Sequence, residues 1–213
     1  MKTLRYQDQL NHTTVTRPNR HSTKGIVYHR IGDAPHNPGT GVGRTVEDII
    51  KFYRESPWGV ATVLISDPTR RLEAVEDWTR TGVPKIYRDQ AFVPYTKIVD
   101  IEGVVHNLLP GLAEGAHAYG YNGSGIGIAF IGHFDYESPT AAQVETAIAL
   151  GRELVVYFAR GRTIPKILTH DQARVEHGQV AKGCPGHKFP FKEIKSKILT
   201  EVASIMDLPN PAK

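Results

Sequence analysis

The 213-residue sequence has a single cysteine, two methionines and two tryptophans. It has no apolar run approaching the roughly 20 residues that cross a bilayer, so membrane insertion is not expected. One thiol cannot form an internal disulfide, which leaves burial rather than cross-linking to hold the fold. The first 25 residues are polar and lack the apolar centre of a secretion signal. The expectation is synthesis in a cytoplasm without a signal peptide, any action beyond it depending on another export route. Neither charge sign dominates: 26 Lys and Arg against 22 Asp and Glu give a net +4, with ten histidines besides. That excess assists approach to a polyanion without choosing one. There is no internal repeat, low-complexity tract or phosphate-binding glycine loop, and no nucleic-acid partner is expected.

With 40% hydrophobic and 23% charged residues the composition is that of an ordinary globular chain, long enough to bury one core. Residues 1–23 read as a polar arm. Gly25 to His29 reads as a buried strand, and Thr45 caps a helix of about a dozen residues with Val46, Ile49, Ile50 and Tyr53 on one face, ended by Pro57. Val60 to Ile65 is an apolar strand, and Leu72 to Trp78 is a short helical or irregular element. Tyr95 to Asp100 turns at Ile101-Glu102-Gly103 into a hairpin returning through Val104-Val105. Ile126 to Gly132 is the most apolar strand, its glycines suggesting close backbone approach. Pro139 and Thr140 open the longest helix, Ala141 to about Arg160. Ile164 to Leu168 is a last strand ending beside His170, and Lys192 to Met206 is an amphipathic helix with Ile194, Ile198, Val202 and Ile205 inward. The pattern predicts one α/β domain, a mixed central sheet flanked by helices.

The stretch from Ile167 to Gly186 gathers His170, His177, Lys182 and Cys184. A lone cysteine is an inert buried thiol, a nucleophile or a metal ligand. Imidazole with thiolate is a borderline-soft set suited to zinc, and two ligands do not hold an ion. His29, at the end of the first core strand, is the candidate third, with a satisfied core histidine as its plain alternative. Tyr95 and Lys182 have plain alternatives too, a half-buried strand tyrosine and a solvated loop lysine.

Taken in order, Ile-Val-Tyr-His at 26–29, Tyr-Thr-Lys-Ile-Val-Asp-Ile-Glu-Gly at 95–103, Gly-Ala-His-Ala-Tyr-Gly-Tyr-Asn at 115–122, Ser-Gly-Ile-Gly-Ile-Ala-Phe-Ile-Gly at 124–132, Leu-Thr-His at 168–170 and Lys-Gly-Cys-Pro-Gly at 182–186 make a set. It resembles the zinc-dependent N-acetylmuramoyl-L-alanine amidases, the phage endolysins and bacterial amidases that share a fold with peptidoglycan-recognition proteins. No single motif is specific; their order is. The resemblance covers about residues 24 to 200 and implies a catalytic domain over 24–208, with 57–94 an insertion relative to compact members.

It further implies one zinc ion held by His29, His170 and Cys184, with His177 the rival to His170. Tyr95 and Lys182 take the catalytic positions, and His117 and Asn122 the loop lining the muropeptide groove. The implied reaction is hydrolysis of the amide between N-acetylmuramic acid and L-alanine, in a phage or prophage endolysin that acts on the host wall as a monomer. A non-catalytic recognition module and a zinc peptidase cutting the stem peptide are the competing functions. His36, His106, His133 and His187 are expected to be surface or hydrogen-bonding residues.

Overall fold

The apolar runs assemble into one mixed sheet. The computed structural model describes residues 3–5, 23–32, 43–55, 94–108, 115, 117–159 and 163–206. Its strands are β1 (Thr3–Arg5), β2 (Gly25–Ile31), β3 (Lys97–Val99), β4 (Val105–Asn107), β5 (Gly125–Ile131) and β6 (Lys166–Thr169). The helices are α1 (Val46–Glu55), α2 (Ala141–Ala159), α3 (His170–Glu176) and α4 (Phe191–Ile205). The strand order is β1-β4-β3-β5-β2-β6. Only β3 and β4 pair antiparallel; β1–β4, β3–β5, β5–β2 and β2–β6 are parallel. The α/β class and the mixed sheet are those the sequence indicates.

Side-chain alternation along β2 and β5 divides the burial between two faces. On one, Ile26, Tyr28, Ile126, Ile128 and Phe130 pack with Ala147, Leu150 and Val155 of α2 and Ile194, Ile198 and Val202 of α4. The Tyr28 hydroxyl donates to the Ala147 carbonyl at 2.9 Å. Gly151 makes that possible, since a Cβ there would lie 2.4 Å from the hydroxyl. The other face carries two smaller clusters. Ile31, Ala129 and Ile98 lie with Val46, Ile49 and Ile50 of α1, and Val27 and Leu168 lie with Ala118, Tyr121 and Ala173 of α3. On β2, His29 falls between Val27 and Ile31, so it emerges between these clusters near the carboxyl ends of parallel strands, where α/β sheets present ligands.

Three helices open on the same reciprocal threonine device. Thr45 Oγ1 accepts from the Asp48 N–H while Asp48 Oδ2 accepts from the Thr45 N–H. Thr140 and Gln143 do the same for α2, and Thr169 and Gln172 for α3.

The elements depart from expectation in four places. Thr3–Arg5, part of the expected arm, pairs as an edge strand on β4. Tyr95 precedes β3 rather than lying in it. Residues 170–176, between the last expected strand and Cys184, form α3, for which no element was expected, because the Thr169 cap and Ala173 on the buried side favour a helix there. Ile205, expected inward, is 57% exposed, because α4 is ending where it lies. The Val60–Ile65 strand, the Leu72–Trp78 element, Pro57 and His36 fall outside the described residues.

Candidate metal centre

Strand register brings the first two candidate ligands together. The last β2–β6 pair is Tyr28 with Thr169, so the next residues, His29 and His170, come side by side where the chain turns into α3. Their ring centroids are 4.5 Å apart. Cys184, on the loop after α3, completes the group: one donor atom from each of His29, His170 and Cys184 lies within 4.8 Å of the others. A tetrahedral zinc site sets such donors roughly 3–4 Å apart, a difference that small side-chain rotations close. His29 is 1% exposed, whereas His170 and Cys184 are half-buried, so the group opens to solvent on their side. Among the described residues no fourth His, Cys, Asp or Glu joins it.

The electrostatics suit a cation more than a proton. Burial, followed by the neighbouring His170 and His117 rings, pulls His29 well below the ordinary imidazole range. Burial, then the charges of Arg174 and Lys182 against the opposing Asp171, lowers His170 to about 4. Both rings are therefore neutral near pH 7, the form that ligates. Burial pushes the Cys184 thiol up to about 11, with the Arg30 backbone N–H and guanidinium opposing. It stays a thiol until a cation displaces its proton.

His29 Nε2 lies 3.1 Å from His117 Nδ1, leaving His29 Nδ1 for an ion. His117 is 5% exposed. It fits there because β5 has Gly127, where a Cβ would come 2.5 Å from the imidazole. Asn122 Oδ1 accepts from the Ala118 N–H at 2.7 Å, bracing the same loop. These two side chains were expected to line a groove and instead face into their own loop and His29. Space explains it: the loop closes over glycines of β5, Gly127 leaving room for the His117 ring and Gly125 for Tyr121.

The Tyr95 ring is 5.1 Å from the His29 ring; the residue is half-buried, and its hydroxyl hydrogen-bonds with Tyr53. Burial, then Tyr53 and Cys184, holds the phenol well above its usual range, so it keeps its proton. The Lys182 side chain is exposed, and its charge reaches His170. His177 stands edge-on to Tyr119 and Tyr121 instead, at 6.0 and 5.5 Å.

Two arrangements escaped sequence reasoning. The Asp171 carboxylate accepts from the N–H groups of Lys182, Gly183 and Cys184 at 2.8, 2.8 and 3.1 Å. Arg30 pairs with Asp135, to which His187 Nδ1 also approaches at 3.2 Å, and His133 Nδ1 lies 3.2 Å from Arg30. An acidic residue directly after a strand-end histidine was the one visible signal for the first; nothing local foretold the second.

Comparison with known proteins begins with a peptidoglycan recognition protein of Bombyx mori, 40% identical over 79 residues, which are 37% of this chain and 36% of that one. The chain thus spans about a third of that relative's length. Among solved structures, the N-acetylmuramoyl-L-alanine amidase LysC from Clostridium intestinale URNW superposes with a TM-score of 0.50 at 21% identity, over 98% of this chain and 99% of that one. The Ph2119 endolysin from Thermus scotoductus MAT2119 bacteriophage Ph2119 gives 0.56 at 16%, over 92% and 98%. At such identities these two likenesses speak for the fold. The sequence profile described as N-acetylmuramoyl-L-alanine amidase matches residues 60–187, a span that includes Tyr95, His117, His170, Lys182 and Cys184 and begins after His29. On that match, the chain belongs to the N-acetylmuramoyl-L-alanine amidase family.

Proposed function

We propose that the protein is a zinc-dependent hydrolase of the amide between N-acetylmuramic acid and L-alanine in peptidoglycan, working as a phage or prophage endolysin. The observation that carries the reading is the convergence of His29, His170 and Cys184 from three separate segments to within 4.8 Å. Two neutral imidazoles and a thiol, buried on one side and open on the other, are a donor set for zinc with a vacant position. A bound zinc ion supplies Lewis acidity toward water and toward the amide carbonyl.

The remaining roles belong to side chains already in place. Tyr95 keeps its proton, so it serves as a hydrogen-bond donor toward the attacking water or the nitrogen of the leaving amine. The exposed Lys182, whose charge reaches His170, supplies positive charge toward the amide oxygen as negative charge develops on it. His117 turns the His29 ring by holding Nε2, as outer partners of ligating histidines do. The loop of residues 117–122 then borders the substrate through its outward parts, chiefly Tyr119, 62% exposed. Substrate selection by the side chains of His117 and Asn122 does not fit their inward bonding.

The 40% identity to a peptidoglycan recognition protein over 79 residues favours a second reading, binding without hydrolysis. Mass spectrometry of digested cell wall separates the two. Free lactyl ends on the sugar together with new L-alanine amines support the amidase; an unchanged wall with protein bound to it supports recognition. Cleavage within the stem peptide would overturn both. Loss of activity in Cys184→Ser is required by the first reading.

A further inference from the structure

We propose that Asp171 is a positioning residue that fixes the distance between His170 and Cys184, presetting the site for the metal. The inference rests on the zinc reading and extends it to a residue that touches neither ion nor substrate.

Asp171 directly follows His170 at the start of α3, so its backbone is anchored to one candidate ligand. Its carboxylate takes the successive N–H groups of Lys182, Gly183 and Cys184, and its own N–H donates to the Cys184 carbonyl at 3.1 Å. One residue thus holds the other candidate ligand from both sides of its peptide unit. Three consecutive amides converge on one anion only if the chain curls tightly. Gly183 supplies that curl with φ +76°, a value other residues rarely adopt, and the amides form a concave anion-binding nest. With about four lone-pair sites on the carboxylate and three engaged, Asp171 is occupied by the loop and not left to act as a fourth ligand. Without the carboxylate the loop loses three of these four hydrogen bonds, and the open half of the site loses its spacing. His29 is held independently by β2.

The test uses the full chain as wild type, Asp171→Ala, Asp171→Asn and Thr169→Ala. Zinc affinity is measured by competition with a chromophoric chelator, and the alkylation rate of the sole thiol is measured in the metal-free proteins, with thermal melts alongside. Asp171→Ala is expected to weaken zinc about 10- to 100-fold and to speed alkylation of Cys184 severalfold. Asp171→Asn, which keeps one acceptor oxygen, falls between and serves if the alanine variant does not fold. Thr169→Ala removes the cap of the same helix; it lowers the melting temperature and leaves zinc affinity within about twofold. Unchanged alkylation in both Asp171 variants overturns the clamp, and so does an equal loss of zinc affinity in Thr169→Ala. If wild type binds no zinc, or Cys184→Ser binds it as tightly, the metal reading fails, while the alkylation rates still report on the clamp by themselves.

Discussion

At His29 and His170 burial lowers the imidazole pKa, to about 4 for His170, and this has a consequence for the metal-free protein. Between about pH 4 and the ordinary imidazole value near 6.5, the unfolded chain binds protons that the folded one refuses. Stability is therefore full above about pH 6.5 and declines as pH falls through that window. Denaturant unfolding of chelator-treated protein should show a loss on the order of 1–3 kcal/mol between pH 7.5 and 5; a flat profile would contradict the buried placement of these rings. At Tyr95, replacement by Phe keeps the ring beside His29 and removes only the hydroxyl. Turnover should drop on the order of 100-fold with zinc content unchanged, and unaltered turnover would remove Tyr95 from the chemistry.

The glycines of β5 and the caps of the helices carry the element scale. A methyl group at Gly127 would come 2.5 Å from the His117 ring, so Gly127→Ala should cost roughly 1–3 kcal/mol by overpacking and weaken zinc binding by displacing the contact to His29. Ile198 of α4, fully buried beside Gly151 of α2, should cost about 2–5 kcal/mol as Ile198→Ala. Chemical denaturation measures both. These elements also show what a sequence discloses. The strands β2 and β5 and the helices α2 and α4 are legible because their apolar pattern is strong, and α2 also has a local threonine cap. Helix α3 is hard to read from sequence although Thr169 and Gln172 spell out its cap, because seven residues with Ala173 as the buried one show no apolar period. Tyr95 continues the alternation of the strand that follows it, yet the backbone begins its ladder at Lys97. The inward turn of His117 depended on a void above Gly127, a three-dimensional fact that no spacing encodes.

Among the described residues, one face of the sheet packs against α2 and α4 in the largest cluster, while the other carries two smaller clusters. The candidate site occupies the interval between these two, so function costs the main core little. The convergence of residues 29, 170 and 184 was readable only through family order, since side-by-side placement needs the β2–β6 register. The proposed activity makes the loaded site a condition of hydrolysis. A strong chelator should abolish wall digestion, and added zinc should restore it, while the fold persists on its main core. The most direct measurement is zinc stoichiometry combined with zinc-edge X-ray absorption on the purified protein. One ion per chain, with one sulfur and two imidazole nitrogens as its only protein ligands, is the predicted result; no stoichiometric zinc, a shell without sulfur, or a fourth side chain closing it would contradict the account.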